Sequence, residues 1–114
     1  MTEEWLKAHC KKHGMYSTPS LNDKIFLHFQ GFGRIQHLEE YTGLRSIFLE
    51  GNGLEDLFGL ERCKNLRCLY AQQNMIFAIP RTLPTSLSTL NVSNNNVRKL
   101  ENLGRLPVLQ TLQV

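Results

Sequence analysis

The sequence predicts an α/β fold: a right-handed solenoid with a parallel sheet on its concave face and a capping helix at its amino-terminal end. Three observations support this prediction. An amphipathic stretch opens the chain, an asparagine recurs in one fixed slot, and four leucines recur at intervals of 22, 21 and 22 residues: Leu44, Leu66, Leu87 and Leu109. Repetition at a fixed period of this size is typical of solenoids, in which each copy forms one turn.

The amino-terminal helix is predicted over residues 2–14. Thr2 can cap its start, two acidic residues then favour the positive end of a helix, and Gly14 can end it. A solenoid needs such a cap because its first turn would otherwise expose the core. Trp5 is expected to be the main anchor of the packed face, which consists of Trp5, Leu6, His9, Cys10 and His13.

The repeats share the pattern L-x-x-L-x-L-x-x-N-x-L, which is the leucine-rich-repeat pattern. Shifting the second copy back by 22 residues reveals a degenerate first copy, with Gln30 in the asparagine slot. The whole chain, 1–114, is therefore one domain whose copies cover about 22–43, 44–65, 66–86 and 87–108, with a partial fifth copy over 109–114.

The L-x-L segment of each copy predicts a short strand, and such strands stack side by side into a parallel sheet. Their apolar residues, together with those of the return segments, should fill one continuous core. In the fourth copy this set includes Leu100 and Leu103. The expected strands lie near 25–27, 47–49, 68–70, 89–91 and 111–113.

The recurring asparagine is predicted to be structural. Its amide can both donate and accept, so it can satisfy backbone groups that the bend after each strand leaves unpaired. The residues in this slot are Asn52, Asn74 and Asn95.

Composition and motifs exclude several classes of function. A net charge of +3, scattered along the chain, gives little support for nucleic-acid binding, and no apolar stretch approaches the length of about 20 residues that a membrane-spanning helix needs. His9 and His13 stand one helical turn apart, but no carboxylate or second cysteine is close enough in sequence to complete a tetrahedral site, so packing is expected rather than a metal site. No phosphate-binding loop, nucleophile motif or paired carboxylates are recognisable. We predict no enzyme activity, catalytic residue, metal or cofactor, and the odd number of cysteines, three, fits a reducing compartment.

Residues 10–54 resemble the opening of the leucine-rich-repeat axonemal dynein assembly factors. The similarity is carried by T-P-x-L-N-D (18–23), L-H-F-x-G-F (27–32), L-E-E-Y-T-G-L-R (38–45) and L-E-x-N-G (49–53). Pro80 and Pro84 depart from the family pattern and predict an extended third return segment. Members of that family also continue through further repeats.

The resemblance implies a non-catalytic protein-binding scaffold for the cytoplasmic preassembly of dynein arms destined for cilia or flagella. Its partners would be dynein chains or their assembly machinery, with no small-molecule substrate. Two alternatives stay open: a regulatory subunit of a protein phosphatase, which can use repeats of the same length, and an RNA–protein adaptor.

The binding surface is predicted on the concave face, where the strand residues between the leucines point outward. An exposed aromatic column there is expected to mark an interaction site. The candidate residues are Phe26, Phe48, Tyr70 and Asn91 in one column, His28, Glu50 and Gln72 in the next, and Arg45 and Arg67 at the edge.

The partial fifth copy carries one further expectation. A solenoid turn without a cap exposes its core, and an unpaired edge strand favours pairing with another chain. We expect the chain to fray after about Pro107 or to self-associate through this uncapped repeat as a two-fold dimer.

Overall fold

Five three-residue strands form a single parallel sheet whose order follows the chain, β1-β2-β3-β4-β5. The structure is a computed structural model that describes residues 1–114. The strands are β1 (Lys24–Phe26), β2 (Ser46–Phe48), β3 (Cys68–Tyr70), β4 (Thr89–Asn91) and β5 (Thr111–Gln113). The predicted leucine-rich-repeat solenoid is confirmed. The first two strands begin one residue earlier than expected, because Lys24 already pairs with Ser46, and Ser46 with Cys68.

The register of the sheet follows the repeat. The middle residue of each strand lies beside the middle residue of the next, and in β1 to β4 it points into the core, with Ile47, Leu69 and Leu90 fully buried. The flanking residues therefore lie on the outward side of the sheet, because side chains alternate along a strand. A 22-residue period thus converts each sequence position into a column across the sheet.

The amino-terminal helix, α1, spans Glu3–Lys12. The Thr2 hydroxyl accepts a hydrogen bond from the Trp5 N–H at 3.0 Å, which caps the first turn. At the other end Gly14 has φ of 75°, and the Met15 N–H donates to the Cys10 carbonyl at 2.8 Å. Gly14 therefore provides the left-handed residue with which helices commonly end.

The helix covers the outer edge of β1, but its anchors differ from the prediction. Leu6 and Cys10 are fully buried, whereas Trp5 is only half-buried. Trp5 lies at the border of the cap, edge-on to Phe32 with ring centroids 5.1 Å apart. Its large ring fits at this border, while the smaller Leu6 and Cys10 fill the space against the first turn. The expectation that Trp5 is the main anchor was wrong.

One continuous core runs along the solenoid and contains 24 buried hydrophobic residues. Cys63 shares a slot with Tyr41 and Leu106 in neighbouring copies, and all three are buried. Leu100 departs from the prediction, because its side chain is 54% exposed and Leu103 is only half-buried. The fourth turn has a neighbouring return segment on one side only, so Leu100 is not enclosed.

The first three return segments are extended or turn-like, and the fourth contains one short 3-10 helix. The third, which carries Pro80 and Pro84, contains no helix, and Pro84 is buried. Short 3-10 helices occur at Pro19–Leu21 and Leu103–Arg105. No helix has both the length and the apolar character needed to cross a bilayer. Strand β5 is paired on one side in this structure, and self-association along it stays a prediction that light scattering over a dilution series can test.

Candidate protein-binding face

The outward side of the sheet, which is the concave side in this fold, carries a stack of three aromatic rings. Phe26 and Phe48 lie with ring centroids 4.8 Å apart and planes inclined by 20°, and Phe48 and Tyr70 with centroids 4.9 Å apart and planes inclined by 13°. We call these three residues the aromatic ladder. Their strands pair in register, so the 22-residue period itself brings the rings together. Each ring is half-buried by its neighbour, and the edges remain open to solvent.

The ladder ends at Tyr70. The next residue of the column is Asn91, which is buried rather than exposed as expected. Its Oδ1 accepts hydrogen bonds from the Ser93 N–H at 3.0 Å and the Ser93 hydroxyl at 2.8 Å, so the side chain folds against its own strand. One face of Tyr70 is therefore packed on Phe48, while the other has no aromatic neighbour.

A second column runs beside the ladder, just beyond the strand ends. Backbone pairing continues there: the Phe29 N–H donates to the Glu50 carbonyl at 2.9 Å, and the Gly51 N–H donates to the Gln72 carbonyl at 3.1 Å. The column contains His28, Glu50, Gln72 and Ser93. Glu50 Oε1 and Gln72 Oε1 are both shielded from water, yet neither accepts a hydrogen bond. Sequence reasoning placed both residues here, but no sequence signal reveals how a terminal torsion is set.

The charged residues of the face are separated along the strands. Arg45 and Arg67 are exposed at the strand starts, five residues before Glu50 and Gln72, and so about 16 Å away along an extended chain. The structure contains one contact of salt-bridge type, between His37 Nδ1 and Glu3 Oε1 at 3.9 Å, which is an ion pair only when the imidazole is protonated. Neither arginine is paired with Glu50, so the face has a basic border at one end and an acidic group at the other.

Burial by the ladder also affects the Tyr70 hydroxyl. Burial raises the pKa of Tyr70 above its usual value, and the neighbouring Cys68 thiol and the Glu50 carboxylate raise it further. Tyr70 is therefore a neutral hydrogen-bonding group over the physiological range of pH. Its ring lies between a thiol on its own strand and the acidic end of the second column.

The asparagine slot forms a hydrogen-bonded ladder behind this face. Asn74 Oδ1 accepts from the backbone N–H groups of Asn52, Gly53 and Leu54 at 2.8–3.0 Å. Its Nδ2 donates to the carbonyl oxygens of Leu49, Ala71 and Gln72.

Asn52 and Asn95, the neighbouring members of the asparagine ladder, make fewer side-chain hydrogen bonds. Asn52 Oδ1 accepts from the N–H groups of Gln30 and Phe32 at 2.9 and 3.2 Å, and Asn95 Oδ1 accepts from that of Ile76 at 2.9 Å. Gln30 itself is exposed, and its side chain donates to the His28 carbonyl at 3.3 Å. In the degenerate first copy, Asn52 of the neighbouring copy therefore accepts the hydrogen bonds of the backbone N–H groups in the bend.

The two histidines of α1 serve as packing groups against the end of the sheet. The His9 ring stacks on Trp5 with centroids 4.5 Å apart and lies 4.4 Å from the His13 ring. His9 Nε2 donates to the carbonyl of Phe26, an edge-strand group without a strand partner on that side. Burial lowers the pKa of His9, and this outweighs the raising effect of the hydrogen bond to Phe26. No group of three or more metal-ligating side chains occurs in the structure.

Comparison with known proteins shows similarity to assembly factors for axonemal dynein. The chain is 59% identical over 49 residues, 43% of its length, to dynein axonemal assembly factor 1 of Peromyscus polionotus. It is 57% identical over 49 residues to the protein of that name in Homo sapiens, and 53% identical over 60 residues to leucine-rich repeat-containing protein ODA7 of Chlamydomonas reinhardtii. The predicted resemblance is confirmed.

The similarity covers a small part of each relative. The matched segment spans 8%, 7% and 14% of the Peromyscus, human and Chlamydomonas proteins respectively. No protein-family model matches the chain.

Proposed function

We propose that this chain is a non-catalytic protein-binding unit that acts in the assembly of axonemal dyneins. The observation that supports the proposal is the identity of 53–59% to proteins named as dynein axonemal assembly factors or as ODA7, over about half of this chain. The fold agrees with such a role, because a solenoid sheet offers an extended surface for a partner. The work would take place in the cytoplasm of ciliated or flagellated cells, with dynein chains or their assembly machinery as partners.

The partner would bind on the outward side of the sheet, at the aromatic ladder. Stacked aromatic rings provide a large, rigid contact area, and aromatic residues are enriched among those that dominate binding energy. The ladder residues Phe26, Phe48 and Tyr70 are flanked by polar and charged groups, the usual arrangement at an interface rim. The proposed face combines the ladder with Glu50, Gln72, Arg45 and Arg67, and omits the buried Asn91.

Affinity capture from an extract of flagellated cells tests this proposal. The protein is immobilised, and captured proteins are identified by mass spectrometry. We expect dynein chains or assembly factors to be enriched, and a variant with Phe26, Phe48 and Tyr70 all changed to threonine should lose them. Threonine favours strands, which protects the fold; circular dichroism checks this.

A matched control changes three exposed apolar residues outside the ladder, Phe58, Met75 and Phe77, to threonine. This control should retain the partners. Loss of capture in the control but not in the ladder variant would move the interface away from the sheet. Recovery of a phosphatase catalytic subunit in place of dynein chains would support the phosphatase alternative and contradict the proposal.

A further inference from the structure

Two side-chain oxygens on the proposed binding face lack a hydrogen-bond partner. Glu50 Oε1 and Gln72 Oε1 are the two shielded side-chain polar atoms in the structure that accept no hydrogen bond. Buried polar atoms are nearly always paired in native proteins, so an unpaired one needs an explanation. These two lie in the same column on adjacent chain segments, whose backbones are joined by the Gly51–Gln72 hydrogen bond. Adjacent strands are about 4.8 Å apart, so a single ligand group can reach both.

The two oxygens together define the chemistry of a ligand. Both are acceptors and Glu50 is an acid, so the complementary group is a cation with several N–H donors. A guanidinium is planar and presents five donors in a fixed fork, whereas an ammonium acts as a compact point charge. Both side chains are half-buried and their terminal torsions are broad and soft, so each oxygen has to turn outward to meet a ligand.

The local charge favours a cation here despite the net positive charge of the chain. Glu50 is the only carboxylate in the two columns, and no cation of the chain is paired with it. Arg45 and Arg67 lie about 16 Å away along the strands, beyond the Debye length of about 8 Å at physiological ionic strength. Their repulsion is therefore screened at Glu50, while a ligand in contact with Glu50 is not.

We propose that this face receives an arginine side chain of a protein partner. Its guanidinium donates to the Glu50 carboxylate and to the Gln72 amide oxygen. This inference rests on the proposed function, because it requires a protein that binds at the ladder. It adds which chemical group the partner must present and where.

Titration of the protein with the capped peptide acetyl-Gly-Arg-Gly-amide, followed by two-dimensional NMR, tests the site without the natural partner. Saturable shifts are expected at the side-chain amide of Gln72. The peptide with citrulline in place of arginine keeps the shape and loses the charge, and should bind about tenfold more weakly, the factor for one charge-assisted hydrogen bond. Equal binding of the two peptides, or shifts confined to other surfaces, would refute the proposal.

Variants locate the contact. Glu50→Gln should weaken binding of the arginine peptide by about tenfold. Glu55→Gln, which removes the same charge from an exposed residue outside the face, should leave binding unchanged. If both variants weaken binding equally, the peptide senses net charge and not this site.

A stability measurement excludes an internal explanation for the two oxygens. In the alternative, the Gln72 amide donates to Glu50 in solution, and Gln72→Met should then lower Tm. If Gln72 Oε1 awaits a ligand, replacement by the apolar methionine should leave Tm equal or higher, since an unpaired acceptor is removed. A lowered Tm would overturn the proposal.

The same variants separate this inference from the proposed function. Capture of dynein chains that is lost in the Phe26, Phe48 and Tyr70 variant but survives Glu50→Gln would leave the binding face in place and refute the arginine contact. Capture that survives both changes would refute binding at this face altogether.

Discussion

Replacement of Asn74 by alanine should be among the most destabilising polar changes in the protein, and the structure shows why. The three carbonyl groups to which Asn74 donates each have a second donor: Leu49 from Asn52 Nδ2, Ala71 from Asn95 Nδ2, and Gln72 from the Gly51 N–H. These carbonyls therefore remain paired in the variant. The loss lies with the Oδ1 atom.

Three N–H groups have Asn74 Oδ1 as their single acceptor: those of Asn52, Gly53 and Leu54. Leu54 is fully buried, so water cannot replace the acceptor. Loss of the acceptor should lower the free energy of unfolding by about 1–3 kcal/mol for the Leu54 N–H. Each of the two N–H groups nearer the surface should add about 0.5–1.5 kcal/mol, so the total is about 2–6 kcal/mol. The usual stability of a domain, about 5–15 kcal/mol, makes this a large fraction.

Urea unfolding followed by circular dichroism measures the loss in free energy of unfolding, and hydrogen exchange locates it. The amides of Gly53 and Leu54 should exchange much faster in the variant. Asn96→Ala is the matched control, because Asn96 is exposed and its side chain makes no hydrogen bond; its effect should stay within about 0.5 kcal/mol. Equal unfolding curves for the Asn74 and Asn96 variants would refute the role assigned to the slot.

Three further predictions concern packing, backbone conformation and pH. Leu69→Ala should lower the free energy of unfolding in urea by about 2–5 kcal/mol because Leu69 is fully buried. Leu100→Ala should lower it by less than about 1 kcal/mol because Leu100 is half-exposed. Gly51→Ala should cost about 1–2 kcal/mol, since φ is 69° and the new Cβ would strike the Phe29 ring. The pKa of His9 is lowered by burial, so the stability from neutral His9 is complete above pH 6.5 and declines as the pH falls below it. His9→Gln should remove this part of the decline below pH 6.5 in urea unfolding.

The repeat period of the sequence predicts side-chain burial correctly in those turns that have a neighbouring turn on both sides. Leu69 and Leu90 are buried as expected, because a stacked copy encloses the same position from either side. Leu100 follows the same pattern but is enclosed on one side, so its position in the repeat does not determine its burial. Periodicity indicates which way a side chain points, whereas burial also requires a neighbour.

Side-chain conformation sets a second limit on what the sequence reveals. Alternation correctly places Asn91 and Tyr70 in one outward column. Asn91 is buried because a local hydrogen bond to Ser93 draws its short side chain down, which the column alone does not indicate. The unpaired oxygens of Glu50 and Gln72 likewise depend on terminal torsions, which respond to the surroundings and carry no periodic signal.

The asparagine ladder and the proposed arginine site are linked through the backbone at Gln72. The Gln72 carbonyl accepts from both Asn74 Nδ2 and the Gly51 N–H, so the slot residue helps to fix the segment that holds the Gln72 side chain. A site held in place before binding loses less conformational entropy when the ligand arrives. Asn74→Ala should therefore weaken binding of the arginine peptide as well as the fold, although Asn74 does not touch the ligand. Glu50→Gln should weaken binding and leave the free energy of unfolding unchanged or raised. Calorimetric titration with the peptide and urea unfolding of both variants test this contrast. An Asn74 variant that binds the peptide like the wild type would show that the asparagine ladder does not organise the site.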